Sequence, residues 1–441
     1  MRLAPTLISL AALTAAVSAD DWPRWRGPLG TGVSPEKELP ARWSDDSVAW
    51  KTRLLGLGVS SPVVAGDRVY VTSQRGRAAL REGNHPTLAR GEEAAAERRL
   101  EGAAEGGVVF VVEALHRSDG RRLWDYRLPA EGMLASVHEK HNLASPSPVT
   151  DGEAVYAWFG TGQVVALGGD GRLLWQRHLG KELGPFEISW GHSSSPALHH
   201  DLLFLLCYHD SASYLLAVDK RTGKTRWKVD RGKDVRSYST PVVARGPSGD
   251  ELIVNSTARI DAYDPATGEL LWHAGEPHRF AVPVPTFHEG VVYASRGYRS
   301  GPYMAIRAGG RGDVSGTHVK WAVPTGAPYI ASLLHYEGLL YMAGDAGIVT
   351  CVDPGTGEKV WQERVGGIFS ASPVGGDGKV YFASETGETL VVKAGREFRV
   401  LERNRIEGRI LASPAISDGR LFIRTDDHVV AVGASRARSS R

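Results

Sequence analysis

The chain repeats one short pattern along most of its length, and this repeat constrains the fold more than any other feature of the sequence. Each copy opens with small polar residues and a proline and continues as alternating apolar and polar residues, a pattern typical of a β-strand. Intact copies lie at residues 60–64, 145–149, 194–198, 239–243, 371–374 and 412–415, and degenerate copies lie at 284–286 and 331–333. A turn containing glycine and a second strand follow, so the repeat predicts a series of β-hairpins.

A second motif follows the hairpins and ends in tryptophan. Residues 217–227 read Ala-Val-Asp-Lys-Arg-Thr-Gly-Lys-Thr-Arg-Trp, and equivalent segments lie at 262–272 and 351–361, with looser copies at 114–124 and 166–175. Aspartate followed by Thr-Gly predicts a tight turn, because glycine adopts the positive φ that other residues resist. The tryptophan after the turn has a large flat side chain that is suited to packing on a neighbouring repeat.

This motif resembles the tryptophan-docking motif of quinoprotein dehydrogenases and of their non-enzymatic relatives, the pyrroloquinoline-quinone (PQQ)-like propellers. Its copies recur at intervals of roughly 40–50 residues, the spacing of four-stranded blades in a β-propeller. From these copies the chain is identified as a member of the PQQ-like propeller family. The resemblance implies an all-β ring in which the tryptophans dock on neighbouring blades.

The number of blades follows from the docking positions and from the two ends of the repeat. The docking tryptophans are Trp50, Trp124, Trp175, Trp227, Trp272, Trp321 and Trp361. Trp50 precedes the first repeat, whereas the last repeat, residues 410–432, has three strands and no fourth. A solenoid would leave these ends unmatched, but in a ring the strand around Trp50 completes the last blade and removes exposed sheet edges. We therefore predict an all-β, eight-bladed β-propeller of four-stranded antiparallel blades over residues 47–433, closed by an N-terminal strand.

Four segments depart from the repeat. Residues 1–19 combine an early arginine, an uncharged apolar run and small residues at the end, which predicts a signal peptide cleaved after Ala19 and a periplasmic or secreted protein. Residues 20–46 contain Trp-Pro-Arg-Trp-Arg-Gly-Pro from residue 22, similar to the opening of exported PQQ-like propellers of the planctomycete type, and we expect them to pack on the ring. The insertion at 75–107 is charged and predicted to be partly helical, and residues 434–441 form a basic tail.

Composition argues against several classes of partner. The 52 basic and 50 acidic residues nearly cancel, so no global field favours nucleic acid. We expect neither a membrane span nor a lipid anchor, because no later segment is long and apolar enough and no cysteine stands directly after the predicted cleavage site. Cys207 and Cys351 lie far apart in the sequence and are consistent either with one disulfide or with two small buried thiols.

The predicted topology places histidines and aromatic residues on one face of the ring. Connections from an outer strand to the next inner strand share a face with those from second to third strands, whereas the opposite face carries mainly Thr-Gly turns. The candidate ligand face carries His138, His141, Trp190, His192, His209, Asp210, Arg236 and Tyr238. Three of these histidines, His138, His141 and His192, could converge on a metal. The alternative is hydrogen bonding at the channel rim, and we do not predict a metal site.

The resemblance leaves three functions open. The first is a non-catalytic binding or assembly scaffold in the cell envelope, as in the BamB family, with an envelope protein or a small ligand at the channel mouth. The second is a PQQ- and Ca²⁺-dependent quinoprotein dehydrogenase, although the adjacent disulfide-linked cysteines of that family are missing. We predict no catalytic residue and no cofactor. The third is a carbohydrate-binding propeller, suggested by aromatic residues in predicted loops of one face: Trp190, Tyr208, Tyr298 and Tyr303.

Overall fold

The structure is a computed structural model and describes residues 21–44, 47–76, 107–132, 137–233, 235–298 and 300–433. The predicted signal peptide, the basic tail and all but the ends of the insertion at 75–107 lie outside the described residues.

The described strands, numbered β1–β33 in chain order, form eight sheets, or blades. Blade 1 comprises β2 (Val63–Ala65), β3 (Arg68–Arg75), β4 (Val109–His116) and β5 (Arg122–Pro129), and blade 2 comprises β6 (Val149–Thr150), β7 (Ala154–Trp158), β8 (Gln163–Gly168) and β9 (Leu173–His178). Blade 3 comprises β10 (Ala197–His199), β11 (Leu202–Tyr208), β12 (Ser213–Asp219) and β13 (Thr225–Gly232). Blade 4 comprises β14 (Val242–Gly246), β15 (Gly249–Asn255), β16 (Ile260–Tyr263) and β17 (Leu270–Ala274), with β21 (Gly312–Asp313) as a fifth strand. Blade 5 comprises β18 (Thr286–His288), β19 (Val291–Ser295), β20 (Tyr303–Arg307) and β22 (Val319–Val323), and blade 6 comprises β23 (Leu334–Tyr336), β24 (Leu339–Gly344), β25 (Ile348–Val352) and β26 (Lys359–Arg364). Blade 7 comprises β27 (Val374–Gly376), β28 (Lys379–Ala383), β29 (Glu388–Lys393) and β30 (Val400–Arg405). Blade 8 comprises β31 (Ala415–Ser417), β32 (Arg420–Arg424), β33 (His428–Val432) and β1 (Val48–Arg53).

The eight blades form a closed ring, which confirms the predicted fold. Strand β1 pairs antiparallel with β33, with Trp50 opposite Ala431, so an N-terminal strand completes blade 8. The inner strand of blade 1 contacts the inner strands of blades 8 and 2. Strand β21 is an addition to the repeat: it leaves blade 5 and pairs in parallel with β17 of blade 4. The described residues include one α-helix, Leu179–Glu182, after β9.

Residues 21–44 form a strap across one end of the ring. The turns between first and second strands lie at this end, which we call the turn face; the connections between blades lie at the opposite end, which we call the mouth face. Trp22 and Val64 exchange two backbone hydrogen bonds of 2.8 Å, which fix the strap to blade 1. At the other end of the strap, Glu36 Oε2 accepts a hydrogen bond of 2.6 Å from the backbone of Gly419 in blade 8.

The middle of the strap bonds to four more blades. Pro23 O accepts from Thr150 N of blade 2 over 2.8 Å, and Ser34 N donates to Gly375 O of blade 7 over 2.8 Å. Two arginines use their guanidinium groups in the same way: Arg24 donates to Leu198 O of blade 3 over 3.0 Å, and Arg26 donates to Leu333 O beside blade 6 over 2.6 Å. The strap therefore ties together the inner edges of blades 1, 2, 3, 6, 7 and 8.

Tryptophan docking joins neighbouring blades at a larger radius. Six indole Nε1 atoms donate to a backbone carbonyl of the next blade over 2.8–3.1 Å: those of Trp50, Trp124, Trp175, Trp227, Trp321 and Trp361. At the joint of blades 2 and 3, Trp175 donates to Lys220 O and its ring covers Gly223, which has a φ of +68°. A Cβ atom at Gly223 would lie 2.7 Å from the indole ring. Glycine is therefore required here by both the turn and the docking contact.

A belt of hydroxyl groups joins the blades around the channel. At seven of the eight joints, the backbone N–H of one belt residue donates to the side-chain oxygen of the next, as from Ser61 to Ser147 Oγ over 2.8 Å and from Ser413 back to Ser61 Oγ over 3.0 Å. The remaining bonds run from Ser147 to Ser195, from Ser195 to Thr240, from Val284 to Ser332, from Ser332 to Ser372 and from Ser372 to Ser413, over 2.9–3.0 Å. These residues occupy equivalent positions of the repeat, so the small polar residue at this position joins neighbouring blades.

The joint between blades 4 and 5 uses different contacts. Val284 replaces the belt hydroxyl there, and the docking position holds Trp272, which donates to Glu251 Oε2 of its own blade over 2.8 Å. Two features join these blades instead. Strand β21 pairs with β17, and Asn255 Nδ2 of blade 4 donates to Ser295 O of blade 5 over 3.0 Å.

The two cysteines are unpaired and buried, Cys207 in blade 3 and Cys351 in blade 6. The sequence allows either one disulfide or two small buried thiols, and the structure has the two buried thiols. Burial raises the pKa of both thiols, that of Cys351 to about 12. Both side chains are therefore uncharged parts of the core.

Replacement of Gly223 by alanine tests the docking contact. We expect Gly223→Ala to lower the free energy of unfolding by about 2–4 kcal/mol, because it adds backbone strain at a positive φ to a clash with Trp175. Gly290→Ala is the matched control: Gly290 also has a positive φ, of +79°, but nothing lies within 4 Å of the Cβ position. It should cost only the strain, about 1–2 kcal/mol. Equal losses for both variants in urea unfolding would show that docking contributes nothing.

Replacement of Ser147 by alanine tests the belt. The Ser61 N–H would lose its acceptor in a buried position, so we expect a loss of about 1–3 kcal/mol in the same unfolding measurement. Ser118→Ala removes an exposed hydroxyl in a surface turn and should change stability by less than about 0.5 kcal/mol. A neutral Ser147→Ala variant would contradict a stabilising role of the belt.

Candidate functional site

The channel contains a cavity of about 210 Å³ that opens on the mouth face. Trp25 of the strap lines its far end, and belt hydroxyls such as those of Ser61 and Ser195 line its middle. The loops that enter the inner strands form its mouth. Because the strap crosses the turn face, the mouth face is the side from which a ligand would reach the cavity.

Four of the eight predicted face residues line this cavity: His138, His141, Trp190 and Tyr238. The other three lie around the backbone of Trp190, which has a left-handed φ of +82°. The carbonyl oxygen of Trp190 accepts hydrogen bonds from His138 N over 2.9 Å and from His141 Nε2 over 2.6 Å. Burial lowers the pKa of His141, so its ring is neutral and its Nε2–H serves as a donor rather than as a metal ligand.

Asp210 and Arg236 hold the same loop from behind. They form an ion pair, and Asp210 Oδ2 accepts from both the N–H and the hydroxyl of Ser189 over 3.0 Å. The hydroxyl of Tyr238 donates to Ser189 O. Six of the predicted residues therefore belong to one network that fixes the loop carrying Trp190.

His192 and His209 do not lie on the ligand face, which corrects that prediction. Each is 1% exposed, and they contact each other between blades 2 and 3, with His192 Nδ1 3.1 Å from His209 Nε2. Trp158 and Phe186 pack against them. Burial, with the neighbouring ring as a smaller cause, lowers the pKa of His192 well below its usual range, and burial lowers that of His209 to about 4. Both are neutral core residues.

The proposed aromatic platform for sugars is also wrong in two of its four members. Tyr208 and Tyr303 are buried, and their hydroxyls bond to Tyr263 Oη over 2.9 Å and to Gly357 O over 3.1 Å. Trp190 and Tyr298 remain half-buried near the mouth.

Sequence reasoning missed two aromatic side chains on the opposite side of the mouth. Phe280 and Tyr329 line the cavity. The ring of Tyr298 lies between them, 4.9 Å from Phe280 and 5.5 Å from Tyr329. Together with Trp190 and Tyr238 they give the mouth a mostly aromatic wall. Phe280, Tyr298 and Tyr329 each lie in a connection from an outer strand to the next inner strand or from a second strand to a third. The rule that placed the histidines on this face therefore applies equally to these three residues.

A buried charged group at the mouth was missed as well. Lys140 Nζ donates to Glu385 Oε1 over 2.8 Å, with their side chains 8% and 0% exposed, and Ser370 Oγ donates to the same oxygen over 2.5 Å. Asp345 lies close enough for its charge to interact with both. Burial, together with Glu385 and against Lys140, raises the pKa of Asp345 to about 6. Glu385 Oε2 and Asp345 Oδ1 are buried and have no hydrogen-bond partner among the described residues.

These residues do not fit PQQ with Ca²⁺. The cofactor carries three carboxylates, and the ammonium that lines the described cavity, that of Lys140, is already paired with Glu385. Cys207 and Cys351 lie in different blades and cannot form the adjacent disulfide that the resemblance implies. The functions proposed below therefore include no reaction on this cofactor.

Comparison with known proteins agrees with the geometry of the ring. A family model described as outer membrane protein assembly factor BamB matches residues 40–182, 108–335 and 345–438. The quinohemoprotein alcohol dehydrogenase from Comamonas testosteroni superposes with a TM-score of 0.64 over 96% of this chain and 82% of its own. At 13% identity this likeness shows the fold alone.

Two relatives bear different names. The tetrathionate hydrolase of Acidithiobacillus ferrooxidans is 26% identical over 357 residues, 76% of this chain and 64% of that protein. The outer membrane protein assembly factor BamB of Burkholderia pseudomallei is 30% identical over 114 residues, 26% of this chain and 29% of that protein. This chain thus spans less than two thirds of the length of either relative.

Within the described ranges, no helix has the length and apolar character needed to cross a membrane. The family model covers well over half of the chain. The protein therefore belongs to the family of the outer membrane protein assembly factor BamB, whose members are PQQ-like β-propellers.

Proposed function

We propose that this protein is a non-catalytic, exported PQQ-like propeller that acts as a binding scaffold in the cell envelope, and that it holds a protein partner at the channel mouth. The observation that carries the proposal is the character of the cavity. Its wall combines aromatic and aliphatic side chains with the belt hydroxyls, while the ion pairs Lys140–Glu385 and Asp210–Arg236 neutralise most of the charge at its rim. Such a cavity suits an apolar side chain inserted by a partner.

The rigidity of the rim supports binding. The loop that carries Trp190 is fixed by hydrogen bonds from His138 and His141 on one side and from Tyr238 on the other. A partner would lose little free energy in ordering this loop, because it is already held in one conformation. The name of the matched family, an assembly factor, favours a protein over a small ligand.

A filled cavity tests this proposal. Val282 lines the wall, and Val282→Trp should occupy the space that the partner's side chain requires. We expect a benzoylphenylalanine introduced at Tyr329 to crosslink to a defined envelope protein in the wild-type background, and Val282→Trp to reduce that crosslink at least tenfold.

The control adds the same bulk elsewhere. Val400 lies on the outer strand of blade 7 and is 38% exposed, so Val400→Trp should leave the crosslink unchanged. A thermal melt of each variant establishes that the ring is folded. An undiminished crosslink in folded Val282→Trp would contradict the proposal.

A second candidate function is hydrolysis at the channel mouth, beside the cavity. It is favoured by the match to a tetrathionate hydrolase over 76% of this chain and by Asp345, whose pKa of about 6 suits a general acid or base near neutral pH.

Tetrathionate turnover by the purified protein decides between the two functions. If Asp345 acts as a base, the rate rises as the pH passes about 6, and Asp345→Asn lowers kcat by about 10²–10⁴-fold. Asp313→Asn, at a side chain that is 66% exposed in β21, should retain the wild-type rate. Absence of turnover on both sides of that pKa would remove the hydrolase candidate and leave the scaffold.

A further inference from the structure

Two adjacent histidines and an aspartate meet at the joint between blades 3 and 4 on the turn face. His199 ends the inner strand β10, His200 follows in the turn, and Asp250 lies near the start of β15 in the next blade. One possible ligand atom from each residue, a ring nitrogen or a carboxylate oxygen, lies within 4.8 Å of the other two. This group is separate from the channel cavity, which opens on the opposite face.

We propose that His199, His200 and Asp250 bind a divalent transition-metal ion of the Zn²⁺ class and thereby join blade 3 to blade 4. Imidazole and carboxylate ligands suit Zn²⁺, Ni²⁺ and Cu²⁺ better than the hard ions Ca²⁺ and Mg²⁺. Three protein ligands leave a further position for water, as in open zinc sites.

The distance between two of the three ligand atoms fits such an ion. His199 Nε2 lies 3.1 Å from Asp250 Oδ2. Two ligands that each lie about 2.0–2.1 Å from a zinc ion, at angles between about 90° and 110°, are about 2.9–3.4 Å apart. The ion would take the place of the proton that these two atoms share, with little movement of either side chain. The rings of His199 and His200 are 4.0 Å apart, which brings the second imidazole to the same place.

The protonation states also fit. Burial and the neighbouring His200 lower the pKa of His199 despite the opposing effect of Asp250, so the ring is neutral near pH 7. The hydrogen bond from Arg245 lowers the pKa of Asp250, so this side chain is a carboxylate. Metal ligands must be in these deprotonated forms.

Two arginines limit the affinity without blocking the site. Arg245 Nη1 donates to Asp250 Oδ1 over 2.8 Å, which leaves Oδ2 for the ion. Arg24 of the strap is near enough for its charge to lower the pKa of His199, but its guanidinium is bound to Leu198 O. We therefore expect weaker binding than at structural zinc sites with four protein ligands.

The backbone at His200 follows the turn of the repeat. His200 has a φ of +52°, and four other blades place Asp or Glu at the corresponding turn position: Glu289, Glu337, Asp377 and Asp418. Histidine tolerates this left-handed conformation better than most residues, so His200 keeps the turn of the repeat and adds an imidazole to it.

Calorimetric titration of the chelator-treated full-length protein with Zn²⁺ tests the proposal. We expect saturable binding of one ion per chain, and Co²⁺ should give the visible absorption bands of a coordinated ion. His200→Asn should weaken binding at least tenfold, since asparagine keeps the left-handed turn but removes the imidazole.

The matched control is His288→Asn, because His288 also ends an inner strand on the turn face but belongs to no such group among the described residues. It should bind Zn²⁺ like the wild type. Equal binding by the wild type and His200→Asn, or no binding by the wild type, would overturn the proposal. Neither result bears on the channel mouth, because the two sites share no residue.

Discussion

The ring depends on how each blade is joined to the next, and this happens at two radii. Near the channel, a backbone N–H donates to the hydroxyl of the following blade, as from Ser61 to Ser147. Farther out, an indole donates to a carbonyl of the following blade, as from Trp175 to Lys220. Two contacts at different radii fix both the distance and the rotation between neighbouring blades, whereas one contact would act as a hinge. These joints together determine the shape of the channel mouth.

The joint between blades 4 and 5 shows what replaces both contacts when they are lost. With Val284 in the belt and Trp272 turned into its own blade, the connection relies on β21 and on the buried amide of Asn255. Arg296 of blade 5 donates to the Asn255 carbonyl oxygen, so the amide is bonded on both sides. Phe280 and Val282 lie in the connection between blades 4 and 5 and line the cavity. The departure from the repeat therefore coincides with part of the aromatic wall of the mouth.

The sequence predicted the ring well because the information is local and repeated. A tight turn, an alternating strand and a docking tryptophan each lie within a dozen residues, and the unmatched strand around Trp50 required closure. The site was only partly predictable, because its contacts join distant segments. Lys140 and Glu385 are 245 residues apart, and neither belongs to a motif. His192 and His209 were placed on the correct connections, but the packing of Phe186 against both rings, which encloses them, is not encoded in the repeat.

Asp345 decides how the mouth is to be understood chemically. Lys140 compensates Glu385, so a charge on Asp345 would be an additional negative charge in a partly buried place. The free energy of such a charge is high, and this is why the pKa of Asp345 rises to about 6. In a scaffold, this carboxyl would suit a hydrogen-bond donor or a cation offered by the partner. A hydrolase gains a proton donor and acceptor. The raised pKa of Asp345 is therefore compatible with both proposed functions, and the pH dependence of turnover distinguishes them.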